Sequence, residues 1–275
     1  MNGKIGVRGI TLAAAALCVA FTSAGCAKLK ARDHLNQGVN AFRTGNYSQA
    51  ADEFRLAIDA DPTFGVARLY LATAYEQQFV PGTETPENQK FWKAAMDEFQ
   101  NVLKDEPNNL LATQSVANLH YQVKDMVKAA EWNKKVIGID PKNKEAYYTL
   151  GVIAWLDFLP ADREARNSLN MKPEDPGPIK DAKKREPLKD KFWQPLTDGV
   201  EYEKKALAVD PQYENAMSYM NLLIRYRADL EDTREAYSTD VKEADDWMQK
   251  ALDTTKMKAA KKAEAIAAGA NPDAQ

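Results

Sequence analysis

Few residues in this chain are of a type that does chemistry, and none of them stands in a catalytic spacing. Among 275 residues there are two histidines, His34 and His120, and two cysteines, Cys18 and Cys26. Neither histidine has another His, a Cys or a carboxylate pair beside it at metal-ligand spacing. Each therefore reads as structural, His34 in a first helix and His120 at a core-like helical position. There is no glycine-rich phosphate cradle and no Gly-x-Ser-x-Gly turn. Adjacent acids such as Asp52-Glu53 and Asp245-Asp246 fall on the polar faces of predicted helices. No active site, metal site or cofactor is expected, and the chain reads as noncatalytic.

Cys26 carries a different chemistry. Upstream of it, "MNGKIGVRG" holds Lys4 and Arg8 and no acid, "ITLAAAALCVAF" is apolar but short for a bilayer span, and "TSAGC" supplies small residues. This layout is that of a secretory signal. The run Ser23-Ala24-Gly25-Cys26 resembles the lipobox of bacterial lipoproteins, with Ser23 where that family has an aliphatic residue. The resemblance implies acylation of Cys26 as the first mature residue. Ala27 rather than Asp after it implies the outer membrane, in a cell that has one. Several acyl chains on one residue hold more firmly than the marginal single chain. The alternative is an ordinary signal cut near Thr22-Ser23-Ala24, with Cys26 incidental. A mature chain beginning at Cys26 has no second cysteine for a disulfide. Losing Lys4 and Arg8 moves the net charge from −3 to −5, which argues against a nucleic-acid partner.

The elements that would position any site come from a repeated phrase. "LAIDADPTFG", "VLKDEPNNLL", "VIGIDPKNKE" and "KALAVDPQYE" each give a helix end, an acid, a proline and a polar turn. The prolines are Pro62, Pro107, Pro141 and Pro211, with a 34-residue step from Pro107 to Pro141. Counted back from Pro62, the stretch 31–64 has Gly38 at its eighth place, Ala50 at its twentieth, Phe54 at its twenty-fourth and Ala57 at its twenty-seventh. This pattern resembles the tetratricopeptide repeat. Further copies are marked by Ala72, Ala95, Phe99 and Val102, by Ala117, Ala129 and Val136, by Gly151, Gly199 and Ala206, and by Ala244 and Ala251. The resemblance implies an all-α fold, a right-handed superhelical solenoid of about five helix-turn-helix repeats over 31–253. Residues 26–30 would be a lipidated cysteine and short linker, and 254–275 a charged helix and tail stopped at Gly269.

Three stretches exceed the repeat length: 79–90, 157–198 and 228–238. The first contains two prolines and reads as a loop. The second holds six of the thirteen prolines and reads as a short helix stopped at Lys172-Pro173, a rigid turn, and a partly helical run that Pro195 kinks or breaks. A competing division makes it a degenerate sixth repeat closed by Pro176, but Glu186 and Pro187 then occupy the small eighth place and its neighbour.

In this family helix A of each repeat lines a groove. Carried over place by place, the groove residues are Leu35, Val39 and Phe42, then Thr73 with Glu76, then Gln114, Asn118 and Tyr121, then Tyr148, Val152 and Trp155, and finally Arg225 and Tyr226. Leu35 and Val39 stand where some members carry a carboxylate clamp, so that role is not implied. Aromatic rings among amides suit a peptide or helix with apolar anchors. Trp155, beside the long insertion, is as readily a packing residue. Trp132, Tyr202 and Trp247 share the twenty-third place and read as packing on the opposite side.

The expectation is a membrane-anchored scaffold holding a protein or peptide partner in the cell envelope, on the periplasmic face of the outer membrane. Two rivals stay open: an enzyme or small-ligand binder whose polar pocket is built by 157–198, and a purely structural envelope lipoprotein.

Overall fold

The computed structural model describes residues 26–172 and 174–269, so the signal-like segment lies outside the described residues. Every regular element among them is an α-helix: α1 (26–43), α2 (Tyr47–Ala60), α3 (Gly65–Glu76), α4 (Pro86–Asp105), α5 (Leu110–Gln122), α6 (Met126–Ile139), α7 (Lys144–Ser168), α8 (Ala182–Val209), α9 (Glu214–Ala228) and α10 (Arg234–Ala267). The chain divides into two compact bodies, Met1–Asp125 with α1 to α5 and Met126–Gln275 with α6 to α10. No described helix is long and apolar enough to cross a membrane.

The acid-Pro refrain ends α2, α4, α6 and α8. Proline disfavours the α conformation in the residue before it, and Asp61, Glu106 and Asp210 leave the helix with φ of −141°, −127° and −133°. In all four copies the N–H three residues on donates to the acid's carbonyl: Phe64 to Asp61, Asn109 to Glu106, Asn143 to Asp140, Tyr213 to Asp210. Aspartate adds an Asx turn across the proline. Oδ1 of Asp61, Asp140 and Asp210 accepts the N–H of Thr63, Lys142 and Gln212 at 3.0–3.1 Å. Asn109 and Asn143 then cap α5 and α7 by accepting from Ala112 and Ala146.

In the first body the signature residues meet as their sizes require. Ala50, Phe54 and Ala57 are fully buried. A Cβ added at Gly38 would lie 2.5 Å from Cε1 of Phe54, so the small eighth place admits the ring of the twenty-fourth. Gly38→Ala is therefore expected to destabilise the fold by about 1–3 kcal/mol through overpacking, despite a helix-propensity gain of about 1 kcal/mol. An unshifted urea midpoint for that variant would contradict the packing account. The first long stretch, expected as a loop over 79–90, is one only as far as residue 85, because Thr85 caps α4 and 86–90 are its first residues; Asn88, 5% exposed, ties the loop 77–85 down. Its Oδ1 accepts from Val80 N–H at 2.7 Å and its amide donates to the carbonyls of Val80 and Thr83.

In the second body the 157–198 insertion is not a separate lump. It lengthens α7 to 25 residues and α8 to 28, joined by the segment 169–181. Pro160 lies inside α7, and Pro187 and Pro195 inside α8; the sequence reading puts a stop at Lys172-Pro173 and a kink or break at Pro195, whereas α7 ends at Ser168 and α8 runs on through Pro195. Proline at i leaves the carbonyl of i−4 without its donor. For Pro187 and Pro195 that carbonyl belongs to Lys183 and Lys191, both exposed residues. Buried neighbours hold the helices through the gaps: Phe158, Leu159, Ala165, Phe192 and Leu196. With Ile179, Leu223, Ile224 and Leu230 most of them form the main core of this body.

Two boundaries also differ from expectation. Residues 26–30 continue as helix into α1 rather than forming a linker, and 254–267 continue α10 without interruption. Gly269, at φ +79°, follows the end of α10 as expected.

Candidate functional site

Both histidines are engaged within the first body. His34 Nδ1 lies 2.8 Å from Glu53 Oε2, pairing α1 with α2. His120 is 5% exposed, edge-on to the Trp92 ring and 3.4 Å from Asp125. No group of three or more His, Cys, Asp or Glu among the described residues is placed to hold a metal ion. Cys26 is exposed and in no disulfide.

The expected groove residues of the first body are spread over α1, α3 and α5. Leu35, Val39 and Phe42 are half-buried and pack against the cluster of Ala41, Ala50, Phe54 and Leu71, with Phe42 edge-on to Tyr47 at 5.1 Å. Thr73 spends its hydroxyl on the Leu69 carbonyl. Asn118 is exposed and donates to Glu76 Oε1 at 3.2 Å, bridging α5 and α3, while burial raises the Glu76 carboxyl above its ordinary pKa. Gln114 and Tyr121 are half-buried.

In the second body the structure gathers the aromatic residues closely. Tyr148 and Trp155 are two turns apart on α7, and Tyr219 and Tyr226 are two turns apart on α9. Their rings interlock: Tyr148 to Tyr219 at 5.2 Å, Tyr219 to Trp155 at 5.7 Å, Trp155 to Tyr226 at 6.0 Å, all near-perpendicular. Tyr213 extends the row past Tyr148 and Phe158 past Tyr226. Such edge-to-face pairs prefer this spacing. Val152 does not belong to the row: at 3% exposure it is a core residue rather than a groove residue. Tyr219 is the residue that sequence reasoning missed. Its seven-residue offset from Tyr226 repeats that of Tyr148 from Trp155 and was the available signal.

On helix B the twenty-third-place rings are capped by lysines three residues on. Lys135 Nζ sits 3.5 Å over Trp132, Lys250 4.1 Å over Trp247 and Lys205 5.7 Å over Tyr202. Tyr202 also lines an open cavity of about 300 Å³ between α6, α7 and α8, with Val127, Ile153 and Pro195.

A second cavity, of about 330 Å³, lies where the insertion meets α9 and α10, lined by Asp162, Arg166, Asp175, Arg225, Tyr226, Asp229 and Tyr237 among others. Its buried centre is an ion cluster. Arg166 Nη2 donates to both oxygens of Asp229 at 2.6 Å and Nε donates to Oδ2 at 3.2 Å, while Nη1 donates to the carbonyls of Lys172 and Asp175. Asp162 approaches Arg166 Nε at 3.5 Å. Burial, reinforced by the neighbouring Asp229 charge, lifts the Asp162 carboxyl to about 6. Burial also raises Asp229, against the pull of Arg166. The small-ligand reading requires a closed polar pocket with perturbed acids near Trp155 and Trp193; this cavity has the acids, but neither tryptophan lines it. It lies close to Trp155 through Tyr226.

No family model matches the chain, and no curated protein sequence matches it. Solved structures do. The chain is similar to a crystal structure of MamA at 13% identity, covering 84% of this chain and 94% of that one with a TM-score of 0.54. It is similar to MamA 41-end from Desulfovibrio magneticus RS-1 at 17% identity, over 83% and 96% of the two chains, with a TM-score of 0.54. These likenesses concern the fold alone, and the fold is an all-α tetratricopeptide-repeat solenoid.

Proposed function

We propose that this tetratricopeptide-fold chain is a noncatalytic scaffold, anchored through acylated Cys26 and holding a protein or peptide partner in the cell envelope, on the periplasmic face of the outer membrane. The observation that carries the reading is the row Tyr148, Tyr219, Trp155 and Tyr226, four half-buried rings on two neighbouring helices of the second body. Half-buried rings held by one another lose little conformational freedom on binding and offer apolar area with polar edges, the composition of interaction hot spots. The exposed Cys26 at the start of the described helix is compatible with modification there.

The test is photocrosslinking in cells from Tyr121 and Trp155, each replaced by a photoreactive residue, with mass spectrometry of the adducts. One dominant protein adduct from Trp155 is expected. Cys26→Ala in the same cells should leave the membrane fraction and lose incorporation of a clickable fatty acid. A chain that stays membrane-bound without Cys26, or that yields no protein adduct while anchored, contradicts the corresponding half of the proposal.

A further inference from the structure

A cavity of about 460 Å³ in the first body lies between the loop 77–85, the start of α4 and the end of α5. Phe79, Trp92 and Val123 give it an apolar wall. That wall is fixed before anything binds. Trp92 Nε1 donates to the Leu119 carbonyl at 3.2 Å, and Asn88 holds the loop through Val80 and Thr83. Glu84 and Lys124 line the same cavity, both exposed to solvent, and neither is ion-paired among the described residues. Lys124 stands there at a conformational cost. It lies five residues before the twentieth-place Ala129, as Gly45 lies five before Ala50. The two turns are built alike. The N–H groups of Gly45 and Lys124 each donate to the carbonyl three residues back at 3.0 Å, and the next N–H donates five residues back at 2.9 Å. Both residues are left-handed, Gly45 at φ +77° and Lys124 at φ +62°. Glycine is what this backbone favours, so a lysine kept here points to a use for its side chain.

We propose that this cavity binds a free α-amino acid with a large apolar side chain, in its zwitterionic form. The side chain packs on Trp92, Phe79 and Val123, the carboxylate faces Lys124 and the ammonium faces Glu84. One unpaired charge of each sign complements a ligand that carries both. A simple anion would meet Glu84 unfavourably, and a simple cation would meet Lys124. An apolar wall with a few charged groups to fix orientation is the usual composition of a small-molecule site, and ligand cavities run on the order of 300–1,000 Å³. This volume admits one residue and not a helix. The site is separate from the ring row of the second body and does not depend on the scaffold reading.

The experiment is calorimetric titration of the full chain in neutral detergent and weakly acid buffer, where phenylalaninamide keeps its ammonium. The ligands are L-phenylalanine, N-acetyl-L-phenylalanine, L-phenylalaninamide and L-alanine. Phenylalanine should bind about three- to fivefold more tightly than either derivative, each of which lacks one solvent-exposed ion pair. Alanine, with both charges and no large side chain, should not bind. Lys124→Gly relieves the left-handed backbone, so its urea midpoint should stay level or rise while the preference for phenylalanine over phenylalaninamide disappears. The ligand comparison is made on the unaltered chain, so it stands without the variant. Binding of N-acetyl-phenylalanine as tight as that of phenylalanine would assign the cavity to a chain terminus and overturn the proposal. Equal binding of phenylalaninamide, no heat with phenylalanine at millimolar concentration, or a preference that survives in Lys124→Gly would overturn it as well.

Discussion

Replacing Arg166 by methionine should lower the stability of the second body by about 3–5 kcal/mol, the largest single-residue loss expected in this protein. Methionine keeps much of the volume and packing of the side chain but removes its charge. Two buried carboxylates, Asp162 and Asp229, then lose the one cation buried with them and keep only the more exposed Arg163 and Arg225, and the carbonyls of Lys172 and Asp175 lose their donor. The same guanidinium joins α7 to the turn after α9, where Ile179 N–H also donates to the Asp229 carbonyl at 2.9 Å. The deficit carries its own pH signature. Without Arg166 both acids titrate higher in the folded state than in the unfolded chain, so the variant recovers part of its stability as pH falls from neutral toward the ordinary carboxylate range, and the recovery is complete once pH is below it. Urea midpoints across pH measure both effects. A loss below about 1 kcal/mol, or one that grows toward acid pH, would show that the cluster is not held by this charge.

Glu203→Met should do the opposite and stabilise the protein, by roughly 3 kcal/mol near neutral pH. Glu203 occupies the twenty-fourth place, where Phe54 and Phe99 stand in the first two repeats, and it is as fully buried as they are. Neither carboxyl oxygen has a hydrogen-bond partner among the described residues, and burial pushes the group up to about 9. Its proton is therefore held more tightly in the folded chain than in the unfolded one, whose ordinary value is 4.5. As pH rises above 4.5 the unfolded state releases the proton first, and wild-type stability falls until about pH 9. Methionine has nothing to release. The gap between the variant and the wild type should be least near pH 4.5 and widen steadily above it. Parallel stability curves across that window would rule out a protonated Glu203.

The reading of the sequence and the structure agree most closely where local geometry decides. The acid-Pro refrain works because proline acts on its immediate neighbour and aspartate reaches two residues on. Gly38, Ala50, Phe54 and Ala57 recur at fixed places because two helices can touch only there. The prolines of the insertion misled for the same reason in reverse. A local rule marks Pro195 as a kink or break, but the packing of Phe192 and Leu196 with Phe158, Leu223 and Ile224 keeps α8 continuous through it, as it does α7 through Pro160. The ring row was half legible, with Tyr148, Trp155 and Tyr226 found by place and Tyr219 missed. The ion cluster was legible only in part. Asp162 and Arg166 stand one helical turn apart and could be paired by eye, but Asp229 lies 63 residues beyond Arg166. Glu203 sat in view at a place reserved for an aromatic ring, and no copy of the motif says whether a departure there is exposed or buried.

In a repeat array each copy contacts only its neighbours, so one copy can in principle stand in for another. The α7–α8 pair has given up that interchangeability. Its extended ends are keyed by Arg166 to an aspartate that belongs to the following copy, and its shared core includes Leu223, Ile224 and Leu230 from the same source. Duplicating or deleting this pair alone would strand one half of the key. A variant that doubles or removes α7 and α8 must therefore carry α9 and α10 with them to keep the key whole.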